Sequence, residues 1–111
     1  MSMLFEAEKK LLMADYLIGL GPGFHSGAIN HIVDAANILV AEYLHLGVSS
    51  VSPILAGKKL AEVEETKSFA VSYGVFWKFP ITKNASYDDV VNAYKATKSF
   101  LGLVKRTRGP A

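Results

Sequence analysis

From residue 2 to residue 20, Leu4, Ala7, Leu11, Ala14 and Ile18 recur at alternating three- and four-residue spacing. That period is the seam of a helix packed nearly parallel to its neighbours, so it predicts a helix over Ser2 to Leu20. Phe5, Leu12 and Tyr16 form a second apolar line, and Glu6, Lys9, Lys10 and Asp15 make the wet side. A second helix is predicted from about Phe24 to Leu46, with Ile29, Val33, Ala36, Val40 and Tyr43 as its main stripe. Ile32 and Leu39 widen that stripe, and Ile38 and Leu44 lie off it. A helix apolar around most of its circumference is central, or contributes to a dimer seam. Gly47 stands where a helix-ending glycine would.

Ser49 to Pro53 reads as a linker ending in a start signal, Ser52 as N-cap and Pro53 at the first helical position. The third helix is expected to continue to about Phe79, with Leu60, Val63, Ala70 and Trp77 on one line and Phe69, Tyr73 and Phe76 beside it. Pro80 to Ser86 reads as a loop. Ser86 followed by Asp89 imitates a capping box. The fourth helix carries Val90, Ala93, Thr97, Phe100, Leu101 and Val104 on one face, and Gly109-Pro110 ends it. With no strand-period alternation and no internal repeat, the prediction is an all-α fold. It is an antiparallel up-and-down four-helix bundle, one domain over residues 1–111.

Half of the residues are hydrophobic and only 20% are charged, an apolar excess that a 111-residue domain has little interior to hide. Self-association or burial against a partner follows as the expectation, with a homodimer as the simplest form. The net charge of +2 is too small to assign a nucleic-acid partner. The absence of cysteine excludes disulfides, thiolate metal sites and cysteine nucleophiles. Glutamine is absent as well, a weak thermophilic signal that the low charge content opposes. No leader-like or membrane-length apolar segment is evident, so a cytoplasmic protein without a membrane partner is expected.

The stretch GLGPGFHSGAINHI, residues 19–32, has the look of a phosphate loop. A dinucleotide fingerprint needs a preceding strand, and a P-loop needs a Gly-Lys-Ser/Thr ending; here a helix precedes and no lysine follows. The glycines and proline suit a bend between two helices instead. His25, His31 and His45 are out of phase with one another, so no metal site is expected, and no cofactor is implied. Asn30, Asp34 and Asn37 form a polar ladder at the edge of the second helix's stripe. Such a ladder can hydrogen-bond a ligand base, specify register in a helical dimer, or simply meet water. The basic run Lys105 to Arg108 is either a solvated helix end or a contact to RNA or nucleotide phosphate. The candidate ligand-binding residues are therefore Asn30, Asp34, Asn37, Lys105, Arg106 and Arg108. Trp77, Phe69, Tyr73 and Phe76 could stack bases, but at helical spacing they read as core or interface. No complete catalytic motif is present.

The segment AEKKLLMADYLIGLGPGFHSGAINHIVDAANILVAEYLHLGV resembles the opening of HEPN-type domains, the higher eukaryote and prokaryote nucleotide-binding helical bundles. Ala14, Gly23, Ala28, Ala35, Ala36, Leu44 and Gly47 carry that pattern, and DDVVNAYKATKSFLGLVKR, after Tyr73 and a loop, is similar to the family's final helix. The resemblance implies a helical bundle, frequent dimers and association with a nucleotidyltransferase-type partner. Some family members are ribonucleases with an arginine and, a few residues later, a histidine. Here Arg106 and Arg108 are the only arginines and His45 is the last histidine, so the resemblance implies a non-nuclease member. The reading is a HEPN-like, non-catalytic module that binds a nucleotide or a nucleotidyltransferase-type partner. Its alternatives are a ribonuclease with a non-standard set (His25, His31 and the basic tail) and a structural dimer or adaptor without ligand.

Overall fold

A computed structural model of the chain describes residues 3–47, 51–82 and 85–108, the side chain of Arg108 excepted. Helix α1 spans Leu4–Leu20 and α2 spans His25–Leu44. They are followed by α3 (Pro53–Ala61), α4 (Lys67–Phe76), the single turn α5 (Phe79–Thr82) and α6 (Tyr87–Arg108). Among the described residues all regular structure is helical, as the periodicity predicts.

The first two helices form an antiparallel hairpin. The bend is made by Gly21, whose φ of 114° is one that side chains disfavour, and by a short 3-10 turn over Pro22–Phe24. Contacts then climb the pair in opposite order. Leu17 lies over Gly27, Lys10 pairs with Asp34 at 3.4 Å, and the Met3 amide donates to Glu42 Oε1 at 3.1 Å. Ala7, Leu11 and Ala14 are buried on α1, with Ala28, Ala35 and Ala36 on α2. Small side chains let the two backbones approach closely, so Ala36→Leu overpacks the interior. It should cost about 1–3 kcal/mol, read from the urea midpoint; an unchanged midpoint would mean that the α2 face is free to yield.

Helix α6 runs parallel to α2 and antiparallel to α1. His25 meets Tyr87 at one end, Tyr43 meets Phe100 farther along, and Glu8 pairs with Lys105 at the other end. Its start is the predicted capping box. The Ser86 amide donates to Asp89 Oδ2 at 2.9 Å and the Asp89 amide donates to Ser86 Oγ at 3.1 Å. All six positions of the predicted stripe, Val90 to Val104, are buried.

The expected continuous third helix is replaced by two helices. At Val63 the backbone turns extended, with φ −105° and ψ 125°, and a 3-10 turn over Glu64–Thr66 leads into α4. The turn is stabilised by Thr66, which is buried and whose hydroxyl donates to the Leu60 carbonyl at 2.6 Å. That carbonyl belongs to the last turn of α3 and also accepts from the Val63 amide at 3.3 Å, so the hydroxyl adds a second bond where the helix ends. Helix α4 then packs antiparallel on α6, while α3 leans on α4.

Three smaller expectations also change. Helix α2 closes at His45, not at Gly47: His45 takes the left-handed conformation (φ 58°, ψ 45°) and the Leu46 amide donates to the Ala41 carbonyl at 2.8 Å. Histidine is among the residues that tolerate this region. Ser52 has the extended backbone of an N-cap but makes no side-chain capping bond, its carbonyl instead accepting from the Ala56 amide at 2.8 Å. Pro80 to Thr82, expected as loop, is helical within α5, where proline's fixed φ suits a first turn. The Ser49-Ser50 part of the linker, Lys83 and Asn84 of the predicted loop, and the Gly109-Pro110 stop lie outside the described residues.

Candidate functional site

The antiparallel packing of α4 on α6 leaves a groove of about 480 Å³ between them. On one wall Glu65, Ser68 and Ser72 follow each other at three- and four-residue spacing, a single line along the turn before α4 and α4 itself. On the other wall Lys95 and Ser99 stand four residues apart on α6, and Arg106 stands two turns beyond Ser99. The floor is aromatic. The rings of Phe69 and Phe100 stack with centroids 4.0 Å apart and 14° between planes, and both side chains are buried. The Arg106 guanidinium folds back along its own helix over Gly102, with Nη1 3.5 Å from where a β-carbon on that glycine would sit. The groove therefore combines two cations, one carboxylate and three hydroxyls above an apolar base. Such a set can bind an anion and orient hydroxyl groups; it contains no activated nucleophile.

Of the predicted candidates, Arg106 lines this groove, and the others are placed elsewhere. Asn30 is exposed on α2, and Asp34 is held by Lys10 on α1. Asn37 is half-buried on the same flank and engages a different helix, its Oδ1 accepting from the Tyr73 hydroxyl at 2.5 Å, which ties α2 to α4. The ladder is thus divided between two helix contacts and does not converge on one ligand. Lys105 is engaged by Glu8 on α1, and the side chain of Arg108 lies outside the described residues. The sequence reading missed Lys95, Ser68, Ser72 and Ser99. Their spacing on two helices is legible, but it reads as ordinary wet surface until α4 and α6 are known to face each other.

Tyr73 is completely buried, and burial pushes its phenol up to about 12 from the usual 10. With Phe69 and Phe76 it forms the interior of α4, so these three aromatics are core; Trp77 is half-buried at its edge. The residues of the ribonuclease alternative stand far apart. His25 lies against Tyr87 at the start of α6, whereas Lys105 is eighteen residues later, about 27 Å along the helix. A smaller pocket of about 200 Å³ adjoins His25, Pro22 and Phe79, and the His25 Nε2 is buried without a hydrogen-bond partner. Among the described residues no three histidines or carboxylates converge as a metal site. No helix there is long and apolar enough to cross a membrane. Comparison with family models, with curated proteins and with solved structures gives no match.

Proposed function

We propose that the chain is a HEPN-like binding module whose α4–α6 groove holds a nucleotide. The observation that carries this reading is the presence of Lys95 and Arg106 on one wall of a groove lined by Ser68, Ser72 and Ser99. At about 480 Å³ the groove is within the usual range of small-molecule sites. Lys95 and Arg106 are about 16 Å apart along α6, so they suit the two ends of an elongated ligand and not a single phosphate. Arg106 is the phosphate anchor in this reading, because guanidinium pairs with phosphate oxygens in bidentate fashion. The serine hydroxyls and the Glu65 carboxylate then meet sugar hydroxyls and base amino groups. The scaffold is read as a variant of the antiparallel up-and-down bundle with a divided third leg. The protein acts in the cytoplasm, and a nucleotidyltransferase-type protein is the partner that the family resemblance suggests.

Titration with ATP, followed by amide chemical shifts and calorimetry, tests the proposal. Shifts should centre on Ser68, Ser72 and Ser99. Arg106→Ala should weaken binding tenfold or more, the loss of about 1.5–3 kcal/mol expected for hydrogen bonds to a charged group. Absence of binding at millimolar ATP, or unchanged affinity in Arg106→Ala, would overturn the assignment. The same protein should leave single-stranded RNA intact, since general acid–base cleavage needs proton-transfer groups beside the phosphate-binding cations. Cleavage lost on His31→Ala would establish the ribonuclease alternative instead.

A further inference from the structure

Helix α1 buries Ala7, Leu11 and Ala14 and turns a second apolar face away from the protein. Phe5, Leu12 and Tyr16 are 71%, 70% and 69% exposed, and Met13 and Leu20 are also exposed. At 100° per residue these five side chains lie on one side of the helix, with Lys9 in their midst. Five large apolar side chains on one short helix amount to an exposed patch of roughly 600 Å². That is the upper end of what a monomer ordinarily leaves in water.

The order of residues on this face is palindromic. About the midpoint between Leu12 and Met13, Phe5 mirrors Leu20, Lys9 mirrors Tyr16, and Leu12 mirrors Met13. A two-fold axis perpendicular to the helix at that midpoint brings each member of a pair opposite the other's copy. That is the requirement for an isologous contact. We infer that α1 is the seam of a homodimer, packed antiparallel against α1 of a second copy. The centre is apolar: on one side of the seam Leu12 lies beside Leu12 of the other copy, and on the other side Met13 lies beside Met13. Outside them Lys9 of each copy reaches the Tyr16 ring of the other, a cation–π contact made twice. Phe5 against Leu20 closes both ends.

A neighbouring feature supports the same arrangement. Beside Leu12 a cleft of about 210 Å³ opens between α1 and α6, lined by Glu8, Leu11, Tyr94, Lys98 and Leu101. It extends the patch toward the roughly 800 Å² per partner of a standard interface. Asp15 is exposed on the flank of the face, and the two-fold carries it to the level of residue 10 of the other copy, on the side of this cleft. There it approaches a mixed rim, the ammonium of Lys98 beside Glu8, whose own charge is engaged by Lys105. A lysine centred in the face also makes it a poor surface for insertion into lipid.

Sedimentation equilibrium tests both the seam and its register. The wild type should be a dimer at tens of micromolar, and Tyr16→Lys, which sets lysine against Lys9 of the other copy, should raise the dimer Kd about tenfold or more. Both positions are outside the core, so the monomer should unfold at the same urea midpoint, which separates loss of the seam from loss of the fold. The exchange variant Lys9→Tyr with Tyr16→Lys keeps the mirrored pairing and should restore the dimer. A monomer throughout, a dimer indifferent to Tyr16→Lys, or an exchange variant no better than the single one would each overturn the proposal. Co-sedimentation of a monomeric wild type with anionic vesicles would assign the face to a membrane surface instead.

Discussion

Phe100→Ala should lower the free energy of unfolding by about 3–5 kcal/mol, the range for removing a fully buried aromatic side chain. Phe100 is the point at which three helices meet. It stacks on Phe69 of α4 at 4.0 Å and meets Tyr43 of α2 at 5.7 Å from its own position on α6. Truncation forfeits the transfer energy of the ring and leaves a void that the neighbours close only in part. It also removes aromatic contacts worth about 0.5–1.5 kcal/mol beyond area burial. Against a domain stability of about 5–15 kcal/mol, that loss brings the protein near its folding threshold. Phe5→Ala provides the contrast. The same side chain is removed from an exposed site on α1, and the monomer should change by no more than about 0.5 kcal/mol. Urea unfolding of both variants below the dimer's Kd checks the pair. A loss under about 1.5 kcal/mol for Phe100→Ala would mean that α4 is loosely docked on the rest of the bundle.

The elements that sequence alone makes legible are those whose local and tertiary signals agree. Of the α1 stripe, Ala7, Leu11 and Ala14 are buried as spaced, and Leu4 and Ile18 are half-buried at its ends. The Ser86–Asp89 box starts α6, and the stripe from Val90 to Val104 runs unbroken into the interior. The third leg fails for a physical reason. Its line of Leu60, Val63, Ala70 and Trp77 keeps helical period, so nothing in the pattern announces a break. The chain nevertheless turns at Val63, and only Leu60 and Ala70 of that line are buried. The device that stabilises the turn is one hydroxyl, Thr66 on the Leu60 carbonyl, and a lone threonine carries no such meaning in a sequence.

Site residues divide along the same line. Asn30, Asp34 and Asn37 share a helix flank, so their spacing suggests one site, yet each neighbouring helix claims a different member. Which helix lies beside which flank is a tertiary fact. The groove shows the converse: Ser68 and Ser72 belong to one helix and Lys95, Ser99 and Arg106 to another, with more than twenty residues between Ser72 and Lys95. Periodicity assigns each a face but not a partner. Arg106 was legible because a cationic helix end has a meaning of its own, whatever it faces.

The Tyr73–Asn37 bond also sets an expected dependence of stability on pH. The phenol donates to Asn37 Oδ1 at 2.5 Å, and burial pushes its pKa up to about 12, against 10 when exposed in the unfolded chain. Below pH 10 both states carry the proton and the contribution of the neutral phenol is complete. Between pH 10 and 12 the unfolded chain releases the proton first, so folding must retain a proton that the solution now takes up, and stability falls. Tyr73→Phe removes the titrating group and its hydrogen bond together. At neutral pH the variant should be less stable by about 1–3 kcal/mol, because the Asn37 carbonyl oxygen loses its donor. As pH rises from 10 toward 12 the wild type should lose stability faster than the variant, and the gap between them should close. Every other group is common to the two proteins and cancels in the difference. Urea unfolding of the two proteins from pH 8 to 12 makes the comparison. A gap that stays constant across that range would show that the phenol ionises as readily in the folded protein as in the unfolded chain.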